Sequence, residues 1–172
     1  LLTGIYGNPE ETKAVFEGSF LKTGDLGEMD KNGFLFIKGR VKDVIIPAGG
    51  VNVYPDELEM RLDPLPFAEE FAVLGLKENQ SEFPALVIKP RRPFFQKEGI
   101  AAPQKFIHDT LGKLTQNWPE WERFRKIYIS DHPLPRSASQ KVQRNILVTL
   151  VENKGIMEIS TFDGGAPSGA DM

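Results

Sequence analysis

Strand-like and helix-like segments alternate along residues 43–153, and this alternation restricts the fold more than any other feature of the sequence. Short apolar runs predict three strands, at residues 71–76, 84–88 and 126–130. Apolar residues recur at helical spacing in two further segments, at residues 103–117 and 141–153. Because strands and helices bury their apolar sides by packing in layers, we expect a small mixed α/β (α+β) domain.

Shorter patterns complete the organisation. A short helix is expected after Asn8, and a β-hairpin over residues 27–38, where an Asn-Gly pair tolerates the positive φ of a tight turn. Two short strands are expected within the domain, at residues 44–46 and 51–53. Pro55 suits the first turn of a helix. Small and turn-forming residues crowd the end of the chain, so residues 154–172 are predicted to be a flexible tail.

Composition excludes several classes of function. The 172 residues include no cysteine, which excludes disulfides, thiol nucleophiles and cysteine-ligated zinc and fits a reducing cytoplasm. The formal net charge of −3 gives no global attraction to nucleic acid. No apolar run approaches the roughly 20 residues of a transmembrane helix. His108 and His132 have no second ligand at helical spacing, so no metal site is predicted.

Two residues near the predicted hairpin are suited to binding a nucleotide. Asp25 follows a glycine in a turn, where its carboxylate can accept two hydrogen bonds from a vicinal diol such as that of ribose. By itself, an Asp at such a place is more commonly a turn residue. Arg40 follows the hairpin, where a guanidinium can reach a ribose oxygen or a phosphate.

Two residues of the second region are also candidates. The pair Gly49-Gly50 lets the backbone approach a ligand closely, or simply makes a turn. Lys141 lies on a polar loop before a predicted helix, where it can place one cation on a developing oxyanion. A lone Lys in such a loop is otherwise a solvent-exposed side chain.

The order of these segments resembles the C-terminal signature blocks of the adenylate-forming superfamily, which includes acyl-CoA synthetases, luciferases and the adenylation domains of peptide synthetases. The blocks read Thr-Gly-Asp, Gly-Arg-x-x-Asp continuing to Glu-Leu-Glu, and Pro-Arg-x-x-x-x-Lys-Val-x-Arg, at residues 23–25, 39–59 and 135–144. The resemblance covers roughly residues 4–153. It implies that residues 1–38 end the large adenylating domain with a β-hairpin, 39–42 form a hinge, and 43–153 form the small C-terminal lid domain.

The resemblance also implies a role for each candidate residue. Asp25 and Arg40 would hold the ribose of AMP or ATP. Lys141 would be the catalytic lysine of the adenylation step, bridging the substrate carboxylate and the α-phosphate. Gly50 would lie where the pantetheine thiol of CoA enters, and Lys42 would lie at the hinge about which the lid swings.

The implied enzyme is an ATP-dependent acid–CoA ligase that forms an acyl-AMP and then transfers the acyl group to CoA. Residues 41–46 and 50–55 are most similar to those of medium- to long-chain fatty acyl-CoA ligases, with aryl acid ligases also open. The expected substrates and cofactors are a carboxylic acid, ATP, CoA and Mg²⁺ that arrives with ATP. The expected partner is the enzyme's own N-terminal domain, and peripheral contact with a membrane stays open.

Two alternatives follow from the same residues. The first is an acyl-AMP ligase that delivers its product to a carrier protein. The second is a non-catalytic interaction domain that keeps the fold, and the joint presence of Asp25, Arg40 and Lys141 argues against it.

Two features qualify the resemblance. Gln140 stands before the lysine where members of the family usually have Gly, so a bulkier residue shapes the loop that presents Lys141. The chain also lacks the glycine-rich patterns of phosphate-binding loops, neither Gly-x-x-x-x-Gly-Lys-[Ser/Thr] nor Gly-x-Gly-x-x-Gly being present. We therefore expect that these 172 residues alone activate no acid.

Overall fold

The computed structural model describes residues 4–161, and of residues 157–161 it describes the backbone only. Its contacts divide the chain into two compact units. Unit 1 ends at Lys42, and unit 2 begins at Asp43.

The described residues of unit 1 form one short α-helix and two β-hairpins. Its elements are α1 (Pro9–Val15), β1 (Phe16–Glu17), β2 (Phe20–Leu21), β3 (Asp25–Met29) and β4 (Leu35–Arg40). Asn8 caps α1, because its side chain accepts a hydrogen bond from the backbone N–H of Glu11. The carboxylate of Asp30 accepts hydrogen bonds from the N–H groups of Asn32 and Phe34, which fixes the turn between β3 and β4. The helix after Asn8 and the hairpin expected from the sequence are both present.

Apolar side chains lie exposed on and beside β4. Four consecutive residues are each more than half exposed: Phe34, Leu35, Phe36 and Ile37. Successive residues of a strand point to opposite faces, so both faces of this hairpin are apolar and open. Between residues 4 and 42, no large hydrophobic side chain is buried. The described part of unit 1 therefore has no hydrophobic core of its own.

Unit 2 is built on a four-stranded mixed sheet of order β5-β6-β7-β8. The strands are β5 (Ala68–Glu78), β6 (Ser81–Pro90), β7 (Lys126–Ile129) and β8 (Met157–Thr161). β6 and β7 are parallel, and the other two pairs are antiparallel. The parallel pair requires a crossover, which contains α3 (Arg92–Lys97) and α4 (Pro103–Thr115). The other helices are α2 (Pro55–Leu62) and α5 (Arg144–Glu152).

Two hydrophobic cores lie on opposite faces of this sheet. Along β6, Leu86 and Ile88 belong to one core and Ala85 and Val87 to the other, as the alternation of a strand requires. Helices α2, α3 and α4 contribute to the first core, and α5 contributes Leu147 and Val151 to the second. Unit 2 is thus a three-layer α/β/α packing, which confirms the fold class expected from the sequence.

Most predicted elements of unit 2 are present, and the structure differs from the prediction in four details. The expected strands at 44–46 and 51–53 reduce to one isolated bridge between Ile45 and Val53, because segments so short cannot form a ladder. The last helix begins at Arg144, so Lys141 precedes it. The sequence analysis did not predict α3.

The fourth difference concerns the predicted tail at 154–172. Residues Met157–Thr161 form β8, which pairs with β7 at the edge of the sheet. A strand edge presents unpaired N–H and C=O groups, and a segment of suitable β-propensity satisfies them. Residues 162–172 lie outside the described residues.

Arg144, the first residue of α5, ties four parts of unit 2 together. Its Nη2 donates to Asp56 Oδ1 (2.5 Å) and to Glu59 Oε1 (2.8 Å), both on α2. Its Nε donates to the carbonyl of Val73 on β5 (3.1 Å), and its Nη1 lies 3.4 Å from Asp43 Oδ2. The Arg144 side chain is only 16% exposed, so this cluster is largely shielded from water.

The protonation of this cluster follows from burial and charge. Burial raises the pKa of the Glu59 carboxyl above its ordinary value, against the opposing attraction of Arg144 and a hydrogen bond from Val73 N–H. Burial lowers the pKa of Arg144, but the charges of Glu59 and Asp56 outweigh it and leave that pKa raised. Arg144 is therefore charged at every ordinary pH, while Glu59 loses its proton at a higher pH than an exposed glutamate does.

Gly75 marks a close approach between β5 and the segment before α2. A Cβ at this position would lie 2.9 Å from Cγ1 of Ile45, which is fully buried. Only glycine fits this contact without moving Ile45. We predict that Gly75→Ala lowers the free energy of unfolding by about 1–3 kcal/mol, measured by urea denaturation.

Gly49→Ala is the matched control, because no atom lies within 4 Å of a Cβ there. We expect Gly49→Ala to leave stability unchanged or to raise it by about 0.4–1 kcal/mol. Equal losses for the two substitutions would contradict the close approach at Gly75.

The Arg144 cluster generates a second prediction. Arg144→Met leaves Asp43, Asp56 and Glu59 without their cation, and we expect a loss of about 3–5 kcal/mol in the free energy of unfolding near pH 7. A carboxyl whose pKa is raised in the folded state stabilises the fold below its unfolded pKa and loses that contribution as pH rises through its folded pKa. The Arg144→Met loss should therefore be smaller near about pH 4 than near about pH 7.

Urea unfolding followed by circular dichroism at the two pH values measures this difference. Arg92→Met is the control, since Arg92 is 79% exposed and makes a single surface ion pair with Asp131. We expect that control to change stability by less than about 0.5 kcal/mol. A loss for Arg144→Met that does not depend on pH would contradict the electrostatic role of the cluster.

Candidate functional site

Asp25 and Arg40 lie side by side in unit 1. They are cross-strand partners in the β3–β4 hairpin, and Arg40 Nε lies 3.5 Å from Asp25 Oδ1. The register of the hairpin changes by one residue between Leu26 and Gly27, because Leu26 pairs with Gly39 and Gly27 pairs with Ile37. This β-bulge sets Arg40 opposite Asp25.

The Asp25–Arg40 pair is open to solvent. The side chains are 35% and 41% exposed, so the carboxylate keeps accessible lone pairs beside the guanidinium. The backbone around it is fixed, because Asp25 N–H donates to Thr23 Oγ1 and Val41 N–H donates to the carbonyl of Gly24. Such a pair can accept hydrogen bonds from a diol and donate others to the same ligand.

Lys42 and Gly50 occupy two different loops. Lys42 is exposed within a short 3₁₀ turn, Val41–Asp43, at the boundary between the two units. Gly50 closes a turn by donating its N–H to the carbonyl of Pro47 (2.9 Å). Its φ of +70° favours glycine, and the space where a Cβ would stand is empty. The turn explains this glycine, and its open side leaves room for close approach of a ligand.

Lys141 follows the tip of a small hairpin in unit 2. Ser137 N–H donates to the carbonyl of Lys141 (2.8 Å), and Gln143 N–H donates to the carbonyl of Pro135 (2.8 Å). Arg136 and Val142 form a bridge between the two arms. Lys141 itself is exposed and makes no hydrogen bond or ion pair through its ammonium group with any described side chain. The hairpin therefore presents a cation that is available to a ligand.

Gln140 occupies a backbone conformation that favours glycine. It ends the three-residue loop between Ser137 and Lys141, and its φ is +64°. In such loops the last residue is left-handed and is preferably Gly. An L-residue with a Cβ costs roughly 1–2 kcal/mol in this region. The structure thus gives a physical reason for the Gly that members of the family usually have before the lysine.

Arginines flank Lys141 on both sides and anchor its hairpin to β5. Arg136 Nε and Nη2 donate to Glu70 Oε2 (3.1 and 2.9 Å), while its Nη1 donates to the carbonyl of Gln140 (2.8 Å). Arg144 holds the other side through Val73 and the acidic cluster. From the sequence, both arginines were only letters of a motif with no assigned role, because the carboxylates that bind them lie 66 or more residues away.

The five predicted residues fall into two groups. Asp25 and Arg40 meet within unit 1, with Lys42 at its end, whereas Gly50 and Lys141 belong to unit 2. Among the described side chains, no cluster of three or more His, Asp or Glu residues is arranged to hold a metal ion. Within residues 4–161, no helix has the length and apolar character needed to cross a membrane.

Comparison with curated proteins finds acid–CoA ligases. The chain is 44% identical over 80 residues to the long-chain-fatty-acid–CoA ligase FadD13 of Mycobacterium tuberculosis, a match to 46% of this chain and 16% of that enzyme. It is 35% identical over 149 residues to the 2-succinylbenzoate–CoA ligase of Geobacillus kaustophilus, covering 86% of this chain. That match spans only 28% of the Geobacillus enzyme. No protein-family profile matches the chain.

Comparison with solved structures finds the same class of enzyme. The o-succinylbenzoate CoA synthetase MenE of Bacillus subtilis, in complex with the acyl-adenylate OSB-AMP, matches with a TM-score of 0.67 and 29% identity. The match covers 84% of this chain and 27% of that one. The same enzyme is also known with ATP and a magnesium ion, at a TM-score of 0.63. A double mutant of it carries a CoA product analogue, at a TM-score of 0.53.

The match to the Geobacillus ligase and the match to MenE each extend over more than four fifths of this chain, and they agree in both sequence and fold. The chain belongs to the adenylate-forming superfamily and corresponds to the C-terminal region of its acyl- and aryl-CoA ligases.

Proposed function

We propose that the chain is the C-terminal part of an ATP-dependent acid–CoA ligase that forms an acyl-AMP and then a CoA thioester. The observation that carries this proposal is Lys141, an exposed cation without a described partner on a hairpin that is anchored on both sides. The family membership supplies the reaction. The chain spans 28% or less of the lengths of FadD13 and the Geobacillus ligase, so the activity requires a longer polypeptide than these 172 residues.

Lys141 is proposed as the catalytic lysine of the adenylation step. Attack of a carboxylate on the α-phosphate of ATP brings two anions together, and charge builds up on the phosphoryl oxygens. A positioned ammonium group stabilises that charge more in the transition state than in the ground state. A cation already neutralised by a carboxylate would contribute little, so the absence of a described partner for Lys141 supports this role.

Asp25 and Arg40 are proposed to hold the ribose of AMP or ATP. A ribose offers two adjacent hydroxyl donors, and the exposed Asp25 carboxylate has accepting lone pairs for both. Arg40, on the neighbouring strand, adds N–H donors for a ribose oxygen. The donor and acceptor types therefore fit this ligand. Mg²⁺ would arrive with ATP and be bound mainly by residues of the N-terminal domain.

Gly50 and Lys42 are proposed to serve the second half of the reaction. Gly50 has an open side over which the pantetheine arm of CoA can pass. Lys42 stands at the boundary between the units, where a hinge would let the lid present one face for adenylation and another for thioester formation. Lys141 has no role in the thioester step under this scheme.

The domain assignment is part of the proposal. Residues 1–38 are assigned to the large adenylating domain, 39–42 to the hinge and 43–153 to the lid. The exposed apolar faces beside β4 support a large domain that packs against the hairpin, since a strand with two apolar faces is normally buried. A cytoplasmic location stays a prediction.

The acid is proposed to be a fatty acid. FadD13 is a long-chain-fatty-acid–CoA ligase, and the 80 residues matched to it are 44% identical, against 35% over the 149 residues matched to the Geobacillus enzyme. The longer matches are to enzymes for 2-succinylbenzoate, an aryl acid, so both classes belong in the test.

These 172 residues alone should not activate any acid. They contain the proposed lysine and ribose-binding pair but no glycine-rich phosphate loop, so ATP has too few contacts to be positioned for attack. ATP–pyrophosphate exchange by the purified chain, with fatty and aryl acids, measures this. Exchange above the buffer background would show that the proposed division of the site is wrong.

The full-length polypeptide should catalyse both half-reactions. We expect ATP–pyrophosphate exchange with at least one member of a panel of fatty and aryl acids, and we expect a CoA thioester as the product. Lys141→Ala should lower exchange by about 10²- to 10³-fold, the loss typical of removing one group that stabilises an oxyanion. Thioester formation from a supplied acyl-adenylate and CoA should change little, because that step does not use Lys141.

Lys113→Ala is the matched control, an exposed lysine on α4, a helix that carries none of the proposed site residues. It should leave both half-reactions unchanged. Exchange without thioester would identify a carrier protein as the acceptor. No exchange with any acid would favour the non-catalytic alternative.

A further inference from the structure

Arg136 links the loop before Lys141 to the sheet through a single guanidinium. Two of its nitrogens donate to the carboxylate of Glu70 on β5, and the third donates to the carbonyl of Gln140. Glu70 is itself well fixed, since its side chain is only 16% exposed and Lys89 lies 3.9 Å away. The backbone of the loop is thus connected to a strand of the central sheet by a rigid, planar group.

The loop needs such a connection. Gln140 has a φ of +64°, which disfavours any residue with a Cβ, and the strain falls on the residue next to Lys141. The bond from Arg136 Nη1 holds the Gln140 carbonyl in the direction that this conformation gives it. Lys141 has no described side-chain contact that would hold it in place, so the conformation of the loop determines where its ammonium group can reach.

We propose that Arg136 is a positioning residue for Lys141 and that Glu70 is its anchor. The proposal rests on the proposed function, in which Lys141 serves adenylation and not thioester formation. Loosening the loop moves the ammonium group away from the developing charge, and displacements of about 1 Å at a reacting centre can lower rates by about 100-fold. The effect is therefore expected on the adenylation rate and not on the binding of ATP.

The test uses the full-length ligase with the acid identified by the panel. Glu70→Gln removes the charge of the anchor and keeps its shape, and Arg136→Gln replaces the guanidinium with a shorter, neutral amide. Both should lower kcat of ATP–pyrophosphate exchange by about 10- to 100-fold with little change in KM for ATP. Both should leave thioester formation from supplied acyl-adenylate and CoA nearly unchanged. Arg92→Gln, which breaks an exposed ion pair with Asp131, should affect neither half-reaction.

A second background tests whether Arg136 acts through the loop. In Gln140→Gly, the residue before Lys141 adopts positive φ without strain. The same Arg136→Gln substitution should then lower exchange by a smaller factor than it does beside Gln140. Arg136→Lys keeps the charge but cannot donate to Glu70 and Gln140 as a fork, so it should recover only part of the activity.

The outcomes separate this proposal from the function on which it rests. If Lys141→Ala abolishes exchange while Arg136→Gln does not lower it, the positioning role is wrong and the function stands. Equal losses in both half-reactions, or equal losses with and without the Gln140→Gly substitution, would show that Arg136 merely stabilises the lid. Absence of exchange in the unmodified enzyme would overturn the proposed function and the positioning role together.

Discussion

The largely shielded guanidinium of Arg144 makes the interaction on which the rest of unit 2 depends. Three carboxylates from two places in the chain, Asp43 and the pair Asp56 and Glu59, converge on it together with the Val73 carbonyl. Without the cation these carboxylates would lie close together and partly shielded from water, and their uncompensated charge would lower the stability of the fold. Arg144 thus connects the segment that follows the unit boundary to α2, to β5 and to the start of α5.

This constraint also determines where the proposed catalytic lysine can be. Lys141 lies three residues before Arg144, and on its other side Arg136 is bound to Glu70. Both arginines are neutralised by carboxylates and held on β5, and Arg144 is also held on α2, whereas Lys141 between them is exposed. Arginine suits the anchoring positions because its fork binds several acceptors at once, and lysine suits the tip because it is a compact point charge on a flexible stem.

The regular elements could be predicted because their apolar spacing is a local property. The runs in β5, β6 and β7 and the helical spacing of α4 reflect burial on known faces, so short windows of sequence were sufficient. Prediction was wrong where the structure depends on a neighbour. β8 forms because β7 offers it an edge, and residues 44–46 fail to form a strand because only one bridge with Val53 is available.

In the candidate site too, some residues could be identified from the sequence, whereas their contacts are visible only in the structure. Resemblance pointed to Asp25, Arg40 and Lys141 and also drew attention to Gln140, but the reason for the usual Gly is visible only in the positive φ of that position. Arg136–Glu70 and Arg144–Asp43 join residues 66 and 101 positions apart, and no local pattern signals such pairs. The motif gives the residue type at each of these positions, and only the structure shows which carboxylate each arginine binds.

The pairing of Asp25 with Arg40 depends on one extra residue. From Met29 to Gly27 the β3–β4 register would place Asp25 opposite Gly39 and Arg40 opposite Gly24. The bulge at Lys38 shifts the register by one, so that Asp25 faces Arg40. Since a shift of one residue moves a side chain to the opposite face of a strand, an unbulged hairpin would separate the carboxylate from the guanidinium. The hairpin turn could be predicted from Asp30 and Gly33, but a bulge five residues after the turn leaves no comparable signal, so the geometry of this pair had to come from the structure.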